Sequence, residues 1–141
     1  MESLDADTLP EGALLLIDSA PIIYVLEGHP ELGPRFKAFF ERHAKGEIAF
    51  AVTTITMAEV LTGPLGAGDE GLAKRYRALL ESWQIVDLSS DIAESAARLR
   101  ASLKLKLPDA IQAASALAIG ADALLTHDRD FARVSGLPVL S

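Results

Sequence analysis

Residues 107–131 read LPDAIQAASALAIGADALLTHDRDF, and their pattern decides the fold. Pro108 suits the first turn of a helix, where its missing N–H costs nothing. Ala110, Ala113, Ala114, Ala116 and Ala118 give that helix a small face for close packing on a sheet, and Gly120 ends it. Ala123 to Thr126 then reads as a short buried strand. One acid, Asp109, lies at the start of the helix, and another, Asp128, follows the strand. A helix feeding an apolar strand is the second half of a parallel crossover unit.

Working outward, the same alternation covers the rest of the chain. Ala13 to Ile17, ALLLI, predicts a buried strand, and Ile22 to Glu27 a short helix closed by Gly28. Residues 31–44 repeat Leu32, Phe36, Phe39 and Phe40 at helical spacing. Ile48 to Val52 predicts a second strand, and Thr54 to Leu61 a helix stopped by Gly63-Pro64. LGAGDEG, residues 65–71, reads as the one flexible loop. Leu72 to Trp83 predicts a helix, Gln84 to Leu88 a third strand, and Asp91 to Leu107 a long helix. Pro138 to Leu140 would add a fifth strand at an edge, where proline is tolerated. The pattern predicts a three-layer α/β/α sandwich with a mainly parallel five-stranded sheet. No repeat or linker divides it, so one domain over residues 13–141 follows a polar tail of residues 1–12.

Composition narrows the chemistry. Half of the 141 residues are apolar, which allows a real core. There is no cysteine, so disulfides, thiolate metal sites and cysteine nucleophiles are excluded, and a cytoplasmic location is expected. The start, MESLDADTLPEG, lacks the basic and apolar regions of a signal peptide, and no apolar run is long enough to span a membrane. Thirteen Lys and Arg against 20 Asp and Glu give a net charge of −7, which argues against coating nucleic acid by bulk charge. Basic residues are nevertheless bunched at Arg35 to Lys45, Lys74 to Arg77 and Arg98 to Lys106.

Four carboxylates stand at strand ends or helix starts: Asp18, Glu59, Asp109 and Asp128. Each has an ordinary explanation. Asp18 could cap the next helix, and Glu59 could close a capping box from Thr56. Asp109 could complement a helix dipole, and Asp128 could steady a turn. Asp130 is a fifth candidate, or a cap for the segment around Phe131. In a parallel α/β fold such junctions meet on one rim of the sheet, where ligands bind. Gathered acids repel one another unless a cation joins them, so the set suggests a Mg²⁺ or Mn²⁺ site. Phosphate-cradling motifs and a G-x-S-x-G elbow are missing, and His29, His43 and His127 lack metal-ligand spacing.

Three segments carry a resemblance. LLLIDSAPIIYVLEG (14–28), TTITMAEVLTGP (53–64) and LKLPDAIQAASALAIGADALLTHDRDFARVSGLPVL (105–140) resemble, in order and spacing, the motifs of PIN-domain proteins. The chain looks most like the VapC-type toxins of toxin–antitoxin pairs. That resemblance implies a parallel sheet in the order 3-2-1-4-5 and a Mg²⁺- or Mn²⁺-dependent endoribonuclease. It implies that Asp18, Glu59, Asp109 and Asp128 are the catalytic and metal-binding acids, with Asp130 auxiliary. Ser19 and Thr126 would orient water or phosphate, while Lys104, Lys106 and Arg129 would grip RNA. A small antitoxin is the implied protein partner. An exposed Phe39-Phe40 pair would suit a homodimer.

Two other readings compete. A PIN nuclease of RNA processing would lack a cognate antitoxin, and a neighbouring gene for a DNA-binding antitoxin separates the two. A signalling receiver-like domain needs an acidic pair at the first strand end and a late lysine. Ile17 precedes Asp18, and no lysine follows Lys106.

Overall fold

Leu14–Ile17 forms β1, the central strand of the sheet, and its alternation sets the layers. Leu15 and Ile17 point into one core and Leu16 into the other, all fully buried. Two apolar layers on one strand require cover on both faces, as parallel sheets do. The computed structural model describes residues 6–141, apart from the side chain of Arg129. Met1 to Asp5 and the RNA contact expected of the Arg129 side chain lie outside the described residues.

β2 (Ala49–Thr53), β3 (Gln84–Val86), β4 (Ala123–Leu125) and β5 (Val139–Leu140) complete an all-parallel sheet in the order β3-β2-β1-β4-β5. Helices α1 (Ser19–Leu26), α2 (Leu32–Ala44), α3 (Thr54–Gly66) and α4 (Glu70–Glu81) cover the Leu15 face, with Ile22, Phe36, Val60 and Leu80 in its core. α5 (Ser90–Leu103) and α6 (Leu107–Ala118) cover the Leu16 face through Ala96, Ala110, Ala113 and Ala114. Ala110, Ala113, Ala114 and Ala116 let the α6 backbone approach the sheet, as their spacing predicts, whereas Ala118, in the last turn, is exposed. Among the described residues no helix is long and apolar enough to cross a membrane.

Several expected boundaries move, each for a local reason. α1 begins at Ser19 rather than Ile22, because Pro21 falls in the first turn, where no intrahelical donor is needed. α3 runs through Gly63-Pro64 to Gly66. Gly63 has no Cβ to clash with the proline ring, so helical backbone before proline is tolerated there. The helix closes on Gly68 at φ +75°, with Gly68 N–H donating to Leu65 O and Asp69 N–H to Pro64 O. The expected loop therefore shrinks to Ala67–Asp69. α5 stops at Leu103, and Lys104 takes a left-handed conformation at φ 56° that turns the chain into α6.

Two surface expectations also change. Phe39 is 4% exposed, and Phe40 meets Phe50 and Trp83 edge to face, at 5.1 and 6.1 Å between ring centres. The exposed aromatic pair proposed for a dimer does not exist. Within the supposed polar tail, Ala6 and Leu9 are buried in the core. Arg42 Nη1 donates to the carbonyls of both, at 2.6 Å each, while its Nε meets Glu47 at 2.8 Å. That clasp fixes residues 6–9 against α2.

Candidate active site: an acidic rim built on a buried amide

The first acid is held by polar groups in the core. Asp18 follows β1 and caps α1, its Oδ1 accepting from Ser19 N–H at 2.9 Å. The same oxygen accepts from Gln112 Nε2 at 3.0 Å, and Oδ2 accepts from Thr126 Oγ1 at 2.8 Å. The cap and the site reading of Asp18 describe one geometry. Thr126 follows β4, is fully buried, and also accepts the Asp128 N–H at 3.0 Å. A single hydroxyl thus ties the end of β1 to the turn carrying Asp128.

Gln112 is the residue that sequence reasoning missed. It lies one turn beyond Asp109 on α6, 1% exposed among the alanines. Its Oε1 accepts from Thr53 Oγ1 at 2.6 Å, and its Nε2 donates to Thr56 Oγ1 at 2.6 Å as well as to Asp18. Thr53 in turn caps α3 by accepting from Thr56 N–H at 3.1 Å. Hence one amide joins β1, β2, α3 and α6. The available signal was a glutamine three residues after Asp109, on a helix face that is otherwise alanine, isoleucine and one serine. Among the described residues no buried side-chain polar atom lacks a partner.

The remaining acids surround this network. With Thr53 as the cap, Glu59 lies in the second turn of α3, beyond the reach of a capping box. It takes a hydrogen bond from Ser19 instead. Partial desolvation, then repulsion from Asp18 and Asp109, raises the proton affinity of Glu59 above the ordinary carboxylate range. Asp109 is raised likewise, by desolvation and then by Asp128 and Asp18, with Asp130 adding a smaller push and Lys106 an opposing pull. Asp128, not Asp130, caps the 3-10 segment Arg129–Arg133, accepting from Asp130 N–H at 2.9 Å. Asp18, Glu59, Asp109 and Asp128 therefore share one electrostatic neighbourhood, with Asp130 at its margin. Among the described residues no three Asp, Glu or His side chains close around a common point as a finished ion cage.

The donors on offer are carboxylate and hydroxyl oxygens, which match hard divalent cations and not soft ones. The rim carries a pH signature of its own. Folded Glu59 and Asp109 hold protons more tightly than in the unfolded chain, so their contribution to stability falls as pH rises through the raised folded values. His43, stacked on Phe50 at 4.3 Å, has its pKa lowered by burial. Its contribution is present above the unfolded value of 6.5 and is lost as pH falls below that through the lowered folded value. With chelator present, replacing Glu59 by Gln should flatten the decline in melting temperature just above the ordinary carboxylate range. An unchanged profile would show that neither burial nor its acidic neighbours raise the proton affinity of Glu59.

A sequence model described as PIN domain matches residues 15–137. Among solved structures, one partner of a toxin–antitoxin complex from Klebsiella pneumoniae is 31% identical. It superposes with a TM-score of 0.71, the match covering 90% of this chain and 96% of that one. A chain of the VapBC2 complex of Rickettsia felis, bound to promoter DNA, is 21% identical with a TM-score of 0.71, over 89% of this chain and 96% of that one. A Mycobacterium tuberculosis VapC toxin that cleaves the sarcin–ricin loop is 14% identical, with a TM-score of 0.70 over 90% and 99%. No curated protein sequence matches the chain significantly.

Proposed function

The chain belongs to the PIN-domain family, and on that premise we propose that it is a Mg²⁺- or Mn²⁺-dependent endoribonuclease, the toxin of a toxin–antitoxin pair. The observation that carries this reading is the mutual repulsion of the rim acids. Two of them, Glu59 and Asp109, are held above their ordinary proton affinity by partial burial and then by their acidic neighbours, an arrangement that costs stability unless a cation offsets it. The likeness to a toxin–antitoxin complex at 31% identity supports the biological role.

In this reading Asp18, Glu59, Asp109 and Asp128 hold the cation. When bound, it supplies neutralisation of the charge that develops on the phosphate oxygens. Asp18 is the rigid member, since Gln112 and Thr126 fix both its oxygens. Ser19 orients Glu59, and Asp130 adds negative field at the margin. Lys106, close enough to Asp109 to act on its proton affinity, and Lys104, which turns the chain beside it, grip the RNA backbone. Hydrolysis by an in-line water needs no protein nucleophile. Inhibition follows from the same chemistry, because an antitoxin arginine would find matched carboxylates on the rim.

Purified protein should cleave cellular RNA with added Mg²⁺ or Mn²⁺ and stop with chelator, and sequencing the new ends would define the target. Isolation from the native operon should recover a small second chain that blocks cleavage. A protein inert toward RNA with either metal would end the nuclease reading. Active protein without such a partner would leave a nuclease that is not a toxin.

A further inference from the structure

Beside the acidic rim, the histidine between Thr126 and Asp128 is built into position. His127 is exposed, yet its Nδ1 lies 3.1 Å from the Tyr24 hydroxyl. Its ring stands edge to face with Tyr24 at 5.5 Å and with the fully buried Phe36 at 6.2 Å. Tyr24 is itself stacked on Phe36 at 6.2 Å and braced by His29 at 5.3 Å. The His29 Nδ1 is in turn held by the N–H of Leu32, at the start of α2. The backbone on either side of His127 is pinned as well, the Thr126 N–H donating to Leu140 O and the Asp128 N–H to the Thr126 hydroxyl. Fixing an exposed side chain costs conformational entropy and returns little burial. Such a cost is characteristic of a group held ready for a ligand. Arg35, whose guanidinium lies 5.7 Å over Phe36, adds positive charge to the same aromatic cluster.

Resting on the nuclease reading above, we propose that His127 is a substrate-contact residue on which a base of single-stranded RNA next to the scissile phosphate stacks. Single-stranded RNA is recognised by stacking of unpaired bases on flat side chains, histidine among them. The Tyr24 hydroxyl fixes the plane of the ring. When that hydroxyl donates to Nδ1, the Nε2–H is left free for the base or its phosphate. The site so formed selects an unpaired nucleotide over a duplex, because a paired base must first break its pairing and stacking to reach it.

The test compares steady-state cleavage of a short single-stranded RNA by wild type, His127→Ala, His127→Phe and Tyr24→Phe, with saturating Mg²⁺. For His127→Ala, KM should rise about ten-fold or more, the scale of one lost base–aromatic stack, with kcat nearly unchanged. His127→Phe keeps a flat ring and should recover much of that loss. Tyr24→Phe, which frees the ring without removing it, should show a smaller rise in KM. All three should keep the wild-type melting temperature response to Mg²⁺, which reports the acids and not the ring. An unchanged KM in His127→Ala, or a His127→Phe protein as impaired as His127→Ala, would overturn the proposal while leaving the nuclease intact. A wild type that cleaves no RNA would instead overturn the nuclease reading, and the proposal with it.

Discussion

Asp109→Asn should abolish metal-dependent RNA cleavage while leaving the metal-free melting temperature at or above that of wild type. The two halves of this expectation have different causes. Loss of even an outer partner of a metal ligand costs about 10–100-fold, so loss of a ligand charge itself should exceed about 100-fold. The stability effect is a contest between two terms. An acid in the first turn of a helix contributes about 0.3–1 kcal/mol at an exposed position through the macrodipole. Against that stand desolvation and the repulsion of Asp128 and Asp18, which together outweigh the pull of Lys106, since the net effect is a raised proton affinity. Asparagine keeps the shape and removes the repulsion. Mg²⁺ or Mn²⁺ should raise the melting temperature of wild type by mass action, and that rise should shrink in the variant. Cleavage assays and thermal melts with metal or chelator decide the matter. A fully active Asp109→Asn protein would remove Asp109 from the site.

The parts of the molecule that could be read in the sequence are those governed by local rules. The strand at Leu14–Ile17, the alanine face of α6 and the placement of acids after strands depend on periodicity and on the ends of elements. The sheet order and the catalytic role of the acids came from the resemblance, and the observed order β3-β2-β1-β4-β5 agrees with it. What was illegible depended on tertiary partners. Nothing local announces that Gln112 reaches Asp18, Thr53 and Thr56, since those contacts join residues brought together only by the crossover connections. Nor could helical spacing tell whether Phe39 and Phe40 face solvent, because Trp83 and Phe50, which cover Phe40, come from other elements. Pro64 misled for a different reason. Gly63 counts with it as a stop signal in the sequence, yet in the helix that glycine relieves the clash that makes proline a terminator. His127 has no metal-ligand spacing to mark it in the sequence, and only its position beside Tyr24 and Phe36 sets it apart.

The acids are only as well placed as the amide beneath them, so Gln112 should be the most sensitive residue outside the rim. Gln112→Ala removes hydrogen bonds to Thr53, Thr56 and Asp18 and opens a cavity under α6. Each orphaned buried group costs about 1–3 kcal/mol, so even partial relaxation leaves a loss of about 3 kcal/mol. For a chain of this size that corresponds to a fall of about 10 °C in melting temperature. Gln112→Met separates volume from polarity. It fills the space but satisfies none of the three partners, so it should recover only the cavity part of the loss. Cleavage should fall by about 10–100-fold in both variants, because Asp18 keeps Thr126 and the Ser19 N–H but loses the amide that ties its Oδ1 to α6. The fall should appear also at temperatures where the variants are fully folded. Gln112→Glu gives a further, opposite handle. A second carboxyl beside Asp18 would have its folded pKa raised, so that variant should be least stable at high pH and recover as pH falls. Should Gln112→Met match wild type in both melting temperature and cleavage, the buried amide would be incidental, and the rigidity of Asp18 would have to come from Thr126 and the Ser19 N–H.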